Sequence, residues 1–207
     1  MKKYHKIDTL YTFDQATKSF YKGEFRSPIV TELQNNTWIF TEKIDGTNIR
    51  IYWDGYNLKY GGRTDKAEFS KDQIEFLENI INKDLEALIE QMFGEKEVYI
   101  FGELFGNKIQ KVGRLYSENY QLMIFDIRIN DIYLQRPSIV EVCFNLGLTP
   151  VPSVLKGTIN AAIDFVKHRE NSTFSDAPLE GLVGTPELGL LDRNGNRIII
   201  KIKKRDI

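Results

Sequence analysis

A strand, a lysine-containing turn and a second strand at residues 37–53 constrain the fold of this chain most. Residues 37–41 are rich in β-forming side chains, and residues 47–53 alternate apolar with polar positions, as strands do. Between them stand Lys43 and the pair Asp45-Gly46, which is common in turns. The pattern predicts a β-rich structure in which rigid flanking strands hold Lys43.

The other predicted elements are short and include both strands and helices. Apolar periodicity and turn residues predict further strands over 58–62, 97–104, 120–129, 132–134, 188–191 and 197–203, and helices over 72–93, 137–146 and 158–168. The first helix is expected to break near Asn82-Lys83-Asp84, and residues 1–36 are expected to form short irregular elements at the edge of the main sheet. This order favours a single α+β domain over residues 1–207, built on mostly antiparallel sheet and flanked by helices.

Composition and charge limit the class of protein and its compartment. The chain has 207 residues, 42% of them hydrophobic, and its net charge of −1 argues neither for nor against a nucleic-acid partner. Its one cysteine, Cys143, excludes a disulfide framework and a thiolate metal cluster and is expected in the core. His5 and His168 are too few and too far apart for a histidine metal site. No segment approaches the roughly 18 apolar residues of a membrane span, so we expect an intracellular, cytoplasmic protein without membrane association.

Lys43 is a candidate nucleophile. A lysine amine attacks only when neutral, and at pH 7 the neutral form costs about 4–5 kcal/mol because the reference pKa is about 10.4. A site that uses such a lysine must therefore supply desolvation or neighbouring positive charge. A surface lysine beside a hairpin turn is the plain alternative for a Lys-x-Asp-Gly sequence alone.

Other polar residues lie on predicted strands, where a purely structural sheet favours apolar ones. Glu103 ends an apolar strand, and a buried carboxylate needs a partner. Phe125 follows three apolar residues, so its simplest role is in the core, with base stacking as the second reading. Glu180-Gly181 precedes an apolar pair, and its glycine permits close approach of a ligand. Strand periodicity places Lys201 and Lys203 on one face, where two like charges call for an anion or carboxylates between them.

Together these residues predict a site for a nucleoside triphosphate. Lys43 would attack the α-phosphorus, while Lys201, Lys203 and a divalent metal stabilise the phosphate charge. Carboxylates would hold the metal or the ribose hydroxyls, with Glu180 and Asp45 as candidate metal ligands. The sequence contains no P-loop and no Gly-x-Gly-x-x-Gly opening a helix, so a P-loop enzyme and a dinucleotide-binding fold are not supported.

Six short motifs follow one another along most of the chain. They are Glu42-Lys43-Ile44-Asp45-Gly46-Thr47-Asn48, Gly62-Arg63-Thr64, Phe101-Gly102-Glu103-Leu104, Phe125-Asp126, Glu180-Gly181-Leu182-Val183 and Lys201-Ile202-Lys203. This series resembles the nucleotidyltransferase motifs of ATP-dependent polynucleotide ligases, especially the RNA ligase 2 family. Asn48 stands where DNA ligases and mRNA capping enzymes usually carry Arg, and residues 106–111 resemble that family's Gly and Ile-Gln-Lys extension. The resemblance therefore favours RNA as the substrate.

The resemblance implies a nucleotidyltransferase (ATP-grasp-like) fold and a reaction in three steps. Lys43 would attack ATP, with Mg²⁺ or Mn²⁺, to give lysyl-AMP and pyrophosphate; AMP would pass to a 5′-phosphate end; and a 3′-hydroxyl would displace AMP to seal the RNA. The resemblance also implies a role for each site residue. Glu42 would lie against the adenine, Phe125 would stack on it, Glu103 would hold the ribose, Glu180 would assist the metal or the lysine, Lys201 and Lys203 would hold the AMP phosphate, and Asn48 and Arg63 would act at the nucleic-acid end.

The sequence departs from the family pattern at two places. Gly184-Thr185 stands where many members carry a lysine that contacts phosphate or RNA. The chain also ends four residues after Lys203, so we expect no C-terminal accessory domain and expect nick sensing to be either weak or supplied by a partner protein. The same catalytic core would serve a DNA ligase, or a capping-type guanylyltransferase that uses GTP. An inactive module that binds nucleic-acid ends is the alternative from a different class.

Overall fold

The computed structural model describes residues 1–207 as a mixture of short helices and strands. The strands are β1 (Asp8–Thr9), β2 (Tyr11–Asp14), β3 (Ser19–Phe25), β4 (Trp38–Glu42), β5 (Thr47–Trp53), β6 (Leu58–Gly61), β7 (Val98–Phe105), β8 (Gln121–Ile129), β9 (Ile132–Tyr133), β10 (Thr149–Pro150), β11 (Ser153–Gly157), β12 (Gly181–Pro186) and β13 (Ile200–Lys203). The helices are α1 (Pro28–Leu33), α2 (Lys71–Ile80), α3 (Lys83–Phe93), α4 (Gly113–Tyr116), α5 (Arg136–Asn145) and α6 (Ile159–His168), followed by a 3-10 turn at Lys204–Asp206. No helix is both long and apolar enough to cross a lipid bilayer.

The chain divides into two compact units, each with its own sheet and core. Unit I comprises Met1–His5 and Asp45–Val151, and unit II comprises Lys6–Ile44 and Pro152–Ile207. Mostly antiparallel sheets with helices confirm the predicted α+β class. The expectation of one domain over residues 1–207 stays a prediction.

Unit I is built on a sheet with strand order β10-β8-β7-β5-β6, to which β9 adds by pairing with β8. The apolar positions of β5 are buried as predicted, since Ile49, Ile51 and Trp53 are all at most 2% exposed. The intervening Arg50, however, is buried too and donates hydrogen bonds to the carbonyl oxygen of Gly62 and to Asp65. Side chains of α2, α3 and α5 pack on the same core. Cys143 lies in this core, where burial raises the pKa of its thiol to about 11 and leaves it unreactive.

The long predicted helix of unit I is two helices, broken where the sequence indicated. The side chain of Asn82 accepts hydrogen bonds from the backbone N–H groups of Asp84 and Leu85 and so caps α3. The preceding helix begins with a capping box between Ser70 and Gln73. Asn82 thus separates the two helices. Its side chain takes the hydrogen bonds of two backbone N–H groups that would otherwise bond to carbonyl oxygens of the preceding turn.

Unit II is built on a sheet with strand order β1-β13-β12-β4-β11, in which only the β1–β13 pair is parallel. Helix α6, capped by Thr158 as predicted, packs against the core that lines this sheet. Trp38 and Phe40 of β4 are fully buried there. This packing fixes the three central strands β13, β12 and β4. Lys43 follows β4, Glu180 precedes β12, and Lys201 and Lys203 lie on β13.

Several predicted elements differ from the observed ones. Strand β4 belongs to the sheet of unit II and β5 to that of unit I, so Asp45-Gly46 does not close a hairpin. Gly46 is instead required by close packing, because a Cβ there would lie 2.4 Å from the carbonyl oxygen of Leu104. Residues 188–191 form no strand, and the last strand begins only at Ile200. Between them Leu191 and Arg197 form a single antiparallel bridge around a turn, in which Asp192 accepts hydrogen bonds from the N–H groups of Asn194 and Asn196.

Candidate active site

Unit II brings residues that are far apart in sequence to neighbouring strand ends. Gly181 lies opposite Lys203 where β12 pairs with β13, and the backbone N–H of Lys43 donates to the carbonyl oxygen of Gly181 at 2.9 Å. The first residues of β12 therefore lie between the end of β4 and the end of β13. This register places Lys43, Glu180 and Lys203 together.

Glu180 bridges two of the predicted lysines. Its Oε2 accepts from Nζ of Lys43 at 2.7 Å, and its Oε1 lies 2.8 Å from Nζ of Lys203. The side chains are only 25% (Lys43), 19% (Glu180) and 16% (Lys203) exposed. We call this group the lysine bridge. Glu180 thus joins Lys203 to Lys43 and not to Lys201, and loss of either bridged lysine leaves Glu180 with one partner.

Lys201 adds further positive charge beside the lysine bridge. It lies on the same face of β13 as Lys203, because strand side chains alternate. Burial lowers the pKa of Lys201, and the positive charges of Lys203, Lys43 and Lys6 lower that pKa further, against a weaker opposing effect of Asp206. The shift means that cations are crowded here, which favours binding of an anionic group such as phosphate.

Glu42 has one carboxylate oxygen bound and one unpaired. It ends β4, is 2% exposed, and its Oε2 accepts from the backbone N–H and the hydroxyl of Thr173 at 2.7 and 2.6 Å. Its Oε1 is buried and has no hydrogen-bond partner. An unpaired buried acceptor costs about 1–3 kcal/mol, so this oxygen is suited to an N–H of a ligand. Thr173, which orients the carboxylate, has no sequence signal that could have identified it.

Unit I holds the remaining predicted residues. Asn48 on β5 lies directly opposite Glu103 on β7, so these two are neighbours. The side-chain oxygen Oδ1 of Asn48 is buried and has no hydrogen-bond partner. Arg63 is exposed in the bend that follows β6, and Asp45 is the first residue of the main segment of this unit.

Phe125 lies in an aromatic cluster of unit I. Its ring stacks on Phe101, with centroids 6.5 Å apart, and meets the edge of Tyr4 at 5.1 Å. The hydroxyl of Tyr4 donates to the buried carboxylate of Asp126 at 2.7 Å. Phe125 itself is only partly buried, so one part of its ring is supported by the cluster and another part is accessible.

The carboxylates do not form a site that could hold a metal by protein ligands alone. No group of three or more His, Cys, Asp and Glu side chains is suitably clustered. Glu180 contacts a lysine at each carboxylate oxygen. The roles of Glu180 and Asp45 as metal ligands stay predictions.

Gly181 lies too close to the backbone of β13 for any side chain to fit. Its φ is 152°, and a Cβ would lie 2.0 Å from the carbonyl oxygen of Ile202 and 2.8 Å from Cα of Lys203. Gly181→Ala is expected to push β12 from β13 and to lower the free energy of unfolding by about 1–3 kcal/mol. Urea unfolding measures this change. Gly157→Ala, in the same sheet with its nearest neighbour at an ordinary 3.5 Å, is the matched control; equal stability of both variants would contradict the packing argument.

Comparison with known proteins assigns the family. The family model described as RNA ligase matches residues 36–203. No curated protein matches the chain in sequence. The solved structures that resemble it include a Naegleria gruberi RNA ligase variant with ATP and Mn, at 15% identity and a TM-score of 0.67, where the match covers 96% of this chain and 59% of that one.

Two further structures of the Naegleria gruberi enzyme agree with this fold. One holds AMP and Mn, at 17% identity and a TM-score of 0.65, with 84% of this chain and 51% of that one covered. Another holds pyrophosphate, at 19% identity and a TM-score of 0.65, with 96% and 59% covered. The chain thus spans between half and two thirds of the length of these proteins, and the likeness confirms the nucleotidyltransferase fold. Because the family match runs through all six motifs, the chain belongs to the RNA ligase family.

Proposed function

We propose that this protein is an ATP-dependent RNA ligase that joins a 3′-hydroxyl to a 5′-phosphate through a lysyl-AMP intermediate. The observation that carries the proposal is the lysine bridge, in which a family-type nucleophile and a phosphate-binding lysine share one carboxylate. Sealing of nicked or broken RNA would make it an RNA repair enzyme, and a partner protein would contribute to recognition of the ends.

In the first step, Nζ of Lys43 attacks the α-phosphorus of ATP. A nitrogen–phosphorus bond forms, the bond to the bridging oxygen of pyrophosphate breaks, and the amine must lose a proton. Oε2 of Glu180, at 2.7 Å, is within reach to accept that proton. Lys201 and Lys203 offset the charge on the phosphate oxygens. A divalent cation bound with ATP would offset further phosphate charge, and solved structures of the Naegleria gruberi RNA ligase hold ATP together with Mn.

The remaining residues keep the roles that the resemblance implies. Phe125 would stack on the base, Glu103 would hold the ribose, and Asn48 and Arg63 would act at the nucleic-acid end. The unpaired Oε1 of Glu42 supports a contact with the exocyclic amine of adenine, because that group is a donor and the oxygen lacks one. Guanine presents a carbonyl oxygen at the corresponding position, which a carboxylate would repel.

Glu42→Gln is therefore expected to weaken the use of ATP. A carboxylate has two acceptor oxygens and an amide has one, so glutamine cannot serve both Thr173 and the adenine amine. We expect covalent labelling by ATP to slow about tenfold, as for one lost hydrogen bond. The measurement is the rate of labelling against ATP concentration. Glu187→Gln, which alters an exposed ion pair with Lys156, is the control, and an unchanged rate for Glu42→Gln would refute the adenine contact.

The proposed function is tested by incubating the protein with magnesium and either α-labelled ATP or α-labelled GTP. Label from ATP that remains on the denatured protein and is released by acid is expected, because phosphoramidates are acid-labile. Addition of a 5′-phosphorylated nicked RNA should then discharge the label and give a sealed product. Label from GTP alone would favour a capping-type reaction, and absence of label from both would contradict the ligase proposal.

A further inference from the structure

The N-terminal hairpin formed by β2 and β3 is not explained by the ligase motifs. It occupies residues 11–25, and the family match begins only at residue 36. Two of its lysines, Lys18 and Lys22, are exposed. The hairpin belongs to unit II, as does the lysine bridge, so the two can be compared within one compact unit.

The hairpin and the end of β13 enclose a cleft of about 550 Å³, which we call the hairpin cleft. This volume lies within the range of ligand-binding pockets. Five cationic side chains line the cleft, against one carboxylate, that of Asp206. The cations are Lys18, Lys22, Lys201, Lys203 and Arg205.

The single carboxylate does not offset this charge. Asp206 is 6% exposed, pairs with Nε of Arg205 at 3.6 Å, and has a pKa raised chiefly by burial. Lys201 has a pKa lowered by burial and by neighbouring lysines. The cleft therefore has an excess of positive charge that a ligand with several negative charges would neutralise.

Aromatic side chains distinguish the kind of anion. Phe13 and Phe20 also line the cleft, face each other across the hairpin, and form an edge-to-face pair with centroids 4.9 Å apart. Neither ring is fully buried. Pyrophosphate has no surface for such rings, whereas a nucleic-acid strand offers both phosphates and stackable bases, and proteins bind single strands with this combination of cations and aromatic rings.

Lys203 belongs both to the hairpin cleft and to the lysine bridge. An RNA strand that contacts Lys203 in the cleft would therefore have its end close to Glu180, which pairs with both Lys203 and Lys43. We propose that the hairpin cleft binds a single-stranded RNA segment that carries the 5′-phosphate to be joined, with its phosphates on Lys18, Lys22 and Arg205 and a base against Phe13 and Phe20. This inference rests on the proposed ligase function and assigns it a donor-strand site.

The test uses the full chain with both hairpin lysines reversed, Lys18→Glu with Lys22→Glu, and with Phe13→Ala as a second variant. Binding of a fluorescent, short 5′-phosphorylated RNA is followed by anisotropy at several salt concentrations. We expect the double variant to bind at least about tenfold more weakly with a shallower salt dependence, and Phe13→Ala to bind about tenfold more weakly. Covalent labelling by ATP should stay within about twofold of the wild type, because none of these residues belongs to the lysine bridge.

The control is Lys71→Glu with Lys96→Glu, which makes the same charge change at two exposed lysines of unit I. Thermal unfolding verifies that each variant is folded. RNA affinity equal to that of the wild type, or an equal loss in the control, would overturn the proposal. Loss of ATP labelling in the hairpin variants would also overturn it and assign the cleft to the triphosphate. A wild type that binds RNA through the hairpin but takes no label would count against the proposed function and leave the cleft intact.

Discussion

Lys43→Ala should reduce covalent labelling by ATP to background while the protein remains folded. The substitution removes the proposed nucleophile, and alanine has no group that could form a bond to phosphorus. Stability should change by about 1 kcal/mol or less, because Glu180 keeps its contact with Lys203 at 2.8 Å and no carboxylate is left alone. The measurement is label retained on denatured protein, with urea unfolding of the same preparation.

The matched control for this prediction is Lys156→Ala. Lys156 lies on β11 of the same sheet and also pairs with a glutamate, Glu187, but is 64% exposed. It should label as the wild type does. Retention of acid-labile label by Lys43→Ala would assign the nucleophile to another lysine, and Lys201, whose pKa is lowered by burial and by Lys203 and Lys43, would be tested next. Sealing of a pre-adenylylated RNA by Lys43→Ala is expected to persist, since that step no longer needs the lysine as a nucleophile.

Lys203→Ala should fold normally and lose about 10²–10³-fold in the rate of labelling. The lysine supplies a positive charge aimed at the developing phosphate charge, and removal of one such donor typically costs this much. The substitution also removes one of the two partners of Glu180, so that this carboxylate pairs with Lys43 alone. Single-turnover labelling at saturating ATP separates a loss of rate from a loss of affinity.

Lys204→Ala is the control for Lys203→Ala because it removes the next lysine of the chain. Nζ of Lys204 contacts the carbonyl oxygen of Arg169 at 2.7 Å and Glu170 at 3.0 Å, so this side chain is not part of the lysine bridge, and alanine keeps the backbone N–H that donates to the carbonyl oxygen of Glu180. Labelling should stay near the wild-type rate. A normal rate in Lys203→Ala, or an equal loss in both variants, would show that Lys203 has no specific role in the labelling step.

The sequence was most informative where side-chain periodicity was strong. The burial of Ile49, Ile51 and Trp53 in β5 and the shared face of the two lysines of β13 follow from the two-residue repeat of a strand, so they could be predicted before any contact was known, whereas the burial of Arg50 could not. The bridge from Glu180 to Lys43 and Lys203 was not predictable in this way, because it depends on the pairing of β12 with β4 and β13, which local periodicity does not determine.

Contacts between distant parts of the chain were not predictable in this way. Thr173 holds Glu42 across 131 positions, and no motif surrounds it. The placement of β4 and β5 in different sheets was missed because Asp45-Gly46 has the composition of a hairpin turn, whereas Gly46 is required by packing against β7. The β2–β3 hairpin was missed because its polar, weakly alternating sequence resembles irregular structure.

The lysine bridge also means that the proposed phosphate site carries its own counter-ion. Glu180 holds the ammonium groups of Lys43 and Lys203 on its two oxygens without any ligand. The repulsion between the two lysines is therefore offset when the chain folds and not when a nucleotide binds. Nucleotide binding is then an exchange of one anion for another at cations whose spacing is already set. Such an exchange requires little reorganisation of the protein, which is the property that makes fixed charges effective at a reacting phosphate.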